Sequence, residues 1–441
     1  MSALPSASAG AGSGAGSELA PYRRISQVHR DDIHGLVVTN NGRGDKKILS
    51  GSKDTQVKKF DLEGTFESVL AQHPASTEGA FSYENWVTAL DAFPEGSFLA
   101  GHRNSFLLSK NTEGRDRPYF GKKILGREPA SSESASAGMR TGKFYKQRNE
   151  TRITAVKCMK AREDFYPALV GVPEQFMKID CTTGEILKTY RFDQPEWVYG
   201  FAPISPFLTA VIHGCSLSVF KEEADRWDKV QSLVKEQVRE KRFYPAAGGA
   251  SAGPALARAE AKGKADDADE LSWRMAGASL SAHSRRRTPM QKSFGAERPV
   301  IQRPYISSVL SFDASDTSGE PAAVGVISKL ALSFFGGMNQ VLDLETASVI
   351  HCGSEHSERV WQAVPLPGND SLYITCADDR NIKLWDVRAG DASQKTYSDH
   401  PGRVSALAFL DNTKFVAGTC AADPSKDPEK GQFYFYDLRK D

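Results

Sequence analysis

Three histidines, His29, His356 and His400, each stand four positions ahead of a β-branched residue: Ile33, Val360 and Val404. Imidazole is the commonest metal ligand and the side chain that titrates nearest neutrality, so such a trio invites a metal or acid–base reading. Each histidine belongs to a separate copy of a recurring segment, however, and a structural role in each copy outweighs a shared metal. Asp378-Asp379 is the paired-carboxylate candidate for proton transfer, but Asp379 occupies a turn between two strand-like runs. The glycine pair in Phe334-Phe335-Gly336-Gly337-Met338 lacks a following Lys-Ser/Thr and reads as a turn rather than a phosphate cradle. The sequence contains no HExxH and no nucleophile elbow. The expectation is a protein with no catalytic residue, no metal and no cofactor.

The six cysteines, Cys158, Cys181, Cys215, Cys352, Cys376 and Cys420, form no CxxC and mostly lie in apolar runs. Their even number permits disulfides, but buried, reduced thiols of an intracellular protein, cytoplasmic or nuclear, are the better reading. Across 441 residues, 56 basic side chains meet 55 acidic ones. So even a balance gives no global field to attract nucleic acid or anionic lipid, and neither is expected as a direct ligand. The longest apolar runs are strand-length, far short of a bilayer-spanning helix. Residues 1–20 are rich in Ala, Gly and Ser, with no basic start or apolar stretch like a leader, and read as a flexible tail.

The elements that must carry these residues announce themselves by repetition. Tyr373-Ile374-Thr375-Cys376-Ala377-Asp378-Asp379 leads through a turn to Ile382-Lys383-Leu384-Trp385-Asp386-Val387-Arg388. Residues 48–62 repeat the design, with Asp54 and Phe60 at the same spacing as Asp379 and Trp385. A third version runs from Phe415 to Thr419 and resumes at Phe433, ending in Tyr436-Asp437-Leu438-Arg439. A smaller unit, β-branched–any–small–apolar, recurs at Ile33, Val87, Ile153, Val198, Ile306 and Val404, with a looser copy at Val360 that has Gln362 in the small position. Small residues between bulky ones suit innermost strands converging on an axis. Repetition at this scale means a scaffold built from stacked units.

On these motifs the chain resembles the WD-repeat β-propellers. The resemblance implies an all-β fold, a single seven-bladed propeller over residues 21–441, with Tyr22 to Val28 supplying the outer strand of the last blade. It further implies a hydrogen-bonded network in each well-formed blade, joining a loop His, a strand Ser/Thr, a turn Asp and a Trp. The pattern falls on His356, Thr375, Asp379 and Trp385 in the sixth blade. In the first it falls on His29, Ser50 or Ser52, and Asp54, with Phe60 unable to donate a hydrogen bond. In the seventh, His400 and Tyr436 match. The middle blades, at 166–191, 207–221 and 329–350, keep strand-length pieces without the His or the Trp-Asp. Two polar insertions, at 110–150 and 233–300, read as unstructured, the second entered through a helix over 222–244 with Trp227, Val230, Val234 and Val238 on one face. Ser284-Arg285-Arg286-Arg287-Thr288-Pro289 at its end reads as a regulated or partner-binding segment, or else as a solvated linker.

In that family the residue just before each β-branched position faces the top opening. Here the set is Asp32, Trp86, Arg152, Trp197, Tyr305, Arg359 and Arg403. Arginines among large aromatics suit an acidic or phosphorylated peptide, or a protein partner presenting one. The alternative is that the arginines pair with neighbouring acids such as Asp31, Asp32 and Glu358. The endings Trp385-Asp386-Val387-Arg388 and Tyr436-Asp437-Leu438-Arg439 are similar to the box by which WD-repeat substrate receptors dock on a cullin-4 ligase adaptor, so Arg388 and Arg439 are its candidate contacts. The sequence thus implies an interaction scaffold, with a ubiquitin-ligase receptor as the second reading and a propeller enzyme as the third.

Overall fold

In the computed structural model, the described residues are 20–40, 45–72, 86–93, 95–103, 106–111, 120–123, 152–159, 165–193, 196–233, 305–312, 327–398, 400–420 and 431–440. The arm Ser284–Pro289, the remainder of the 233–300 insertion beyond Leu233, and the N-terminal tail through residue 19 lie outside them.

Strand β1 (Arg23–Ile25) comes first, followed by β2 (Ile33–Asn40), β3 (Lys46–Ser52), β4 (Gln56–Phe60) and β5 (Phe66–Gln72) in one sheet. A second sheet holds β6 (Val87–Ala92), β7 (Ser97–His102), β8 (Phe106–Asn111) and β9 (Phe120–Lys123). The third holds β10 (Ala155–Cys158), β11 (Pro167–Val172), β12 (Gln175–Asp180) and β13 (Ile186–Arg191). The fourth is β14 (Val198–Ser205), β15 (Leu208–His213), β16 (Ser216–Glu222) and β17 (Trp227–Ser232). The fifth is β18 (Ile306–Ser311), β19 (Lys329–Phe334), β20 (Asn339–Asp343) and β21 (Ser348–Gly353). Then come β22 (Val360–Pro365), β23 (Leu372–Ala377), β24 (Ile382–Asp386) and β25 (Lys395–Tyr397). Finally β26 (Val404–Phe409), β27 (Lys414–Thr419) and β28 (Gln432–Asp437) form a sheet whose fourth member is β1, antiparallel to β28 with Arg24 opposite Tyr434. Among the described residues there are therefore seven four-stranded antiparallel sheets.

Their first strands touch in the cyclic order β2, β6, β10, β14, β18, β22, β26 and back to β2. The sheets are thus the blades of a β-propeller. Each junction between neighbouring blades is filled by its own apolar cluster. Leu49 and Val57 meet Val87 and Phe98 between blades one and two, and Phe176 meets Phe201 and Phe220 between three and four. Ile33, Ile48 and Phe60 meet Val416, Phe433 and Phe435 between one and seven. A central strand covered on both faces must be apolar nearly throughout, as in β11, where Pro167 to Val172 are all buried. The outermost strand has a face to water, and in β13 no residue is fully buried.

The β-branched residue that opens each repeat, from Ile33 to Val404, is completely buried in all seven copies. It packs where the neighbouring second strand carries glycine: a Cβ on Gly51 would sit 2.6 Å from Val87, and one on Gly171 would sit 2.6 Å from Val198. The same junction joins the last blade to the first, with Gly418 facing Ile33 at 3.0 Å.

Two sequence expectations are corrected. Within 110–150, residues 120–123 form β9, the outer strand of blade two, because backbone pairing to β8 suffices for a short polar edge strand. The expected helix over 222–244 is a strand at Trp227–Ser232, paired with β16 from Glu222 to Ser218. The spacing of Trp227 and Val230 fits one helical face, but Trp227 is buried against Phe176 at 5.4 Å between ring centroids while Val230 is 58% exposed. Residues 234–244, with Val234 and Val238, lie outside the described residues.

Candidate partner-binding face

The blade networks fix the frame. In blade six, Trp385 Nε1–H donates to Thr375 Oγ1 at 2.8 Å and Thr375 in turn reaches His356 Nε2 at 2.8 Å. His356 Nδ1 meets Asp379 Oδ2 at 2.8 Å, and Asp379 also accepts the backbone N–H of Ser357 and Asn381. Every donor in that series finds an acceptor when the His proton sits on Nδ1. Blade one repeats it without the tryptophan: His29 lies 2.8 Å from Asp54 and 2.7 Å from Ser50. Burial holds His29 below its usual pKa, so it is neutral, donating from Nδ1 and accepting from Ser50. Burial pushes Asp54 up, but the His29 hydrogen bond, the nearby positive charge of Lys58 and the Arg30 backbone N–H together outweigh it, and the carboxyl stays below its ordinary range. In blade seven His400 Nδ1 donates to the Arg380 carbonyl at 2.8 Å and Nε2 takes the Tyr436 hydroxyl at 2.7 Å. The three histidines therefore serve three separate blades; among the described residues no cluster of His, Cys, Asp or Glu could hold a metal ion. Blade four has a network that its sequence did not advertise, with His213 bonded to Glu196 and, at 2.8 Å, to Ser218. All six thiols are free.

Three registers recur where each blade's first two strands meet. The first is the set read from sequence, whose backbone carbonyls on Asp32, Trp86, Trp197, Tyr305, Arg359 and Arg403 accept N–H groups of Lys53, Arg103, Gly214, Phe335, Asp378 and Cys420. Those donors, each just past the second strand, form the second register. The third is the residue after the β-branched position: His34, Thr88, Thr154, Tyr199, Ser307, Trp361 and Ser405. In six blades the pairing register skips this residue, as between Ile33 and Gly35 or between Val360 and Gln362. A bulge of this kind turns its extra residue out of the ladder. The second and third registers escaped the sequence reading, which treated the third as "any residue". The signal was available in the unusual His34, Tyr199 and Trp361 at positions that otherwise carry Ser or Thr.

These registers assemble a belt of rings and cations. Arg152 lies over Trp197 at 5.7 Å, and Trp197 stacks on Tyr199 at 6.4 Å. Phe335 meets Tyr199 at 6.2 Å and Tyr305 at 6.0 Å. Arg359 is held between Phe335, 3.7 Å away, and Trp361, 3.6 Å away. Trp361 approaches His34 at 6.1 Å, His34 stacks on Trp86 at 6.3 Å, and Lys53 and Arg103 lie over Trp86 at 4.7 and 5.5 Å. Asp32 and Arg403 join the belt through charge rather than ring contact. Asp32 is buried, and its Oδ2 takes Lys53 and, at 2.8 Å, Arg403, locking blade one to blade seven. Burial pushes the Asp32 carboxyl up, but these two cations override it and hold the group well below its usual range. Desolvation, reinforced by Lys53, pushes His34 down to about 3, so it is a neutral ring in a cationic setting.

On the opposite motif, Arg388 and Arg439 are exposed, with 70% and 65% of their side chains accessible. Each forms a two-point pair with its own Asp, Arg388 with Asp386 and Arg439 with Asp437.

Comparison with known proteins agrees with the propeller fold. The WD domain, G-beta repeat, family model matches residues 348–386. A curated relative, methylosome protein WDR77 of Xenopus laevis, is 27% identical over 104 residues, covering 21% of this chain and 30% of the relative. The matched stretch is thus less than a third of that relative's length. Among solved structures, the WD40 β-propeller domain of Doa1 superposes with a TM-score of 0.55 at 9% identity, covering 95% of this chain and 96% of that one. The fold is a β-propeller, and residues 348–386 within it match the WD repeat.

Proposed function

We propose that this chain is a non-enzymatic interaction scaffold, a seven-bladed ring closed by β1, that binds a peptide or protein partner over the top opening. The observation that carries the reading is the belt from Arg152 through Trp197, Phe335 and Arg359 to Trp361 and Trp86. Rigid aromatic faces give contact area at little entropic cost, and arginines give directional bonds to anions. A relative named for the methylosome fits a role in an assembly, as does the scaffold use common to this fold. The free thiols suit work inside the cell.

A second reading, substrate receptor of a cullin-4-type ligase, is supported by the exposed and pre-oriented Arg388 and Arg439. One experiment separates the two. Affinity capture from the native cell is compared for wild type, Arg388→Ala/Arg439→Ala and Arg152→Ala/Trp197→Ala. A scaffold that works through its top face loses its partners in the last variant alone. Loss of a ligase adaptor in the first variant, with folding intact, establishes the receptor. Partners unchanged in both variants would refute both assignments.

A further inference from the structure

Arg359 is held in a manner that its structural surroundings do not explain. Its guanidinium is covered on one side by Phe335 and on the other by Trp361, at 3.7 and 3.6 Å. Its Nε is shut off from solvent with no acceptor. The acid nearest in charge, Asp378, directs Oδ1 to Trp361 Nε1–H at 2.6 Å instead. Arg403, by contrast, is engaged by Asp32. The guanidinium charge therefore has no hydrogen-bonded anion among the described residues, and a charge kept out of water without a partner is costly. Desolvation brings Arg359 down to about 9, which leaves it cationic at neutral pH. Nη1 and Nη2 are neither shut off nor hydrogen-bonded among the described residues, so the fork stays open at its end.

We propose that Arg359 is the anchor of the top face and takes a carboxylate of the partner peptide, end-on and in the guanidinium plane. This rests on the reading of the top face as the partner site. The two rings block approach from above and below, and an in-plane approach to Nη1 and Nη2 matches the two coplanar oxygens of a carboxylate. Charge argues the same way. Arg359 lies within electrostatic reach of Arg152 and Arg403 as well as Asp378, so that part of the belt carries an excess of positive charge that an anion would offset. The flanking Trp361 and Phe335 fix the fork, so the interaction is directional and a lysine cannot replace it.

The test is an array of immobilised random-flank heptapeptides whose central residue is Glu, Asp, Gln or phosphoserine, with free or amidated C-termini. It is probed with the labelled full chain as wild type, Arg359→Met, Arg359→Lys and Arg152→Ala/Trp197→Ala. Retention of native thermal melting is required of each variant. Wild type is expected to select Glu or Asp peptides, or peptides with a free C-terminus, which tells a side-chain carboxylate from a terminal one. Gln and amidated counterparts are expected to bind roughly ten- to a hundredfold more weakly, as are both Arg359 variants, the lysine included. Preference for phosphoserine over Glu overturns the carboxylate assignment. Binding lost in Arg152→Ala/Trp197→Ala but kept in Arg359→Met overturns the anchor and leaves the top-face reading standing. Binding kept in all variants, or no selection of any carboxylate peptide, overturns the proposal.

Discussion

Thr88, Ser307 and Ser405 each reach across a blade junction to the carbonyl of the next blade's β-branched residue, on Ile153, Val360 and Ile33 respectively. The same register carries His34, Tyr199 and Trp361 in three other blades, where rings replace the hydroxyls and join the belt. One backbone position thus either staples two blades or furnishes the belt, and which it does depends on side-chain size. His34 makes this measurable through pH. Its folded pKa of about 3 lies below the ordinary value of 6.5, so below 6.5 the unfolded chain binds a proton that the folded chain refuses. The stability this contributes is complete above pH 6.5 and is lost as pH falls from there towards 3. His29, also lowered by burial, acts in the same direction. The carboxyls of Asp54 and Asp379, held below their usual range, add a second loss only below about pH 4. His34→Phe is therefore expected to leave stability at pH 7.5 close to wild type. It should also reduce the decline between pH 6.5 and 4.5 by up to about 1.4 kcal/mol per pH unit. Urea titrations at four pH values measure both slopes; equal slopes would show that His34 is protonated in the fold.

At the scale of the strand, legibility followed from how many constraints act on a position. The turn Asp, the strand Thr and the Trp of blade six answer to one another through hydrogen bonds, so they recur as types and could be read from residues alone. Blades three to five rest mainly on apolar packing, for which many residues serve, and the His213 network of blade four follows another pattern, so only strand-length runs remained visible there. Trp227 shows the ambiguity: an apolar residue three positions from another fits a helix until the partner strand is known. The belt was half legible, because the position before each inner strand could be counted along the sequence. Phe335 and Lys53, just past the second strands, are brought beside that position by backbone pairing that the sequence does not display. Glycines on second strands give this scale its prediction. Gly51→Ala and Gly171→Ala each place a methyl 2.6 Å from the next blade's valine and are expected to cost about 1–3 kcal/mol. Gly336→Ala, with nothing within 4 Å, should be nearly neutral. Chemical denaturation of the three variants checks the ranking, and equal costs would mean that the junctions yield.

At the scale of the molecule, the question is what holds the first and last blades together. Besides the apolar cluster between them, several specific contacts do so. β1 pairs with β28, and Gly418 packs on Ile33. Arg403 bonds Asp32, and Ser405 bonds the Ile33 carbonyl. The last three lie near the axis, where the strands also touch; β1 alone covers the outer edge of β28. A three-residue strand gains little from its own hydrogen bonds, so its hold depends on Ile25, which packs with Phe433 and Phe435 in the cluster between blades one and seven. Ile25→Asp puts a charge into that apolar contact and is expected to detach β1 while the inner contacts persist. The bared edge of β28, with Phe433, Tyr434 and Phe435 in sequence, would then be a template for another chain. The expected result is a lower melting temperature together with concentration-dependent self-association by light scattering. Arg24→Ala, which leaves Ile25 in place, should keep the protein monomeric. A monomeric Ile25→Asp variant with unchanged melting would mean that the inner contacts close the ring unaided and that β1 is dispensable.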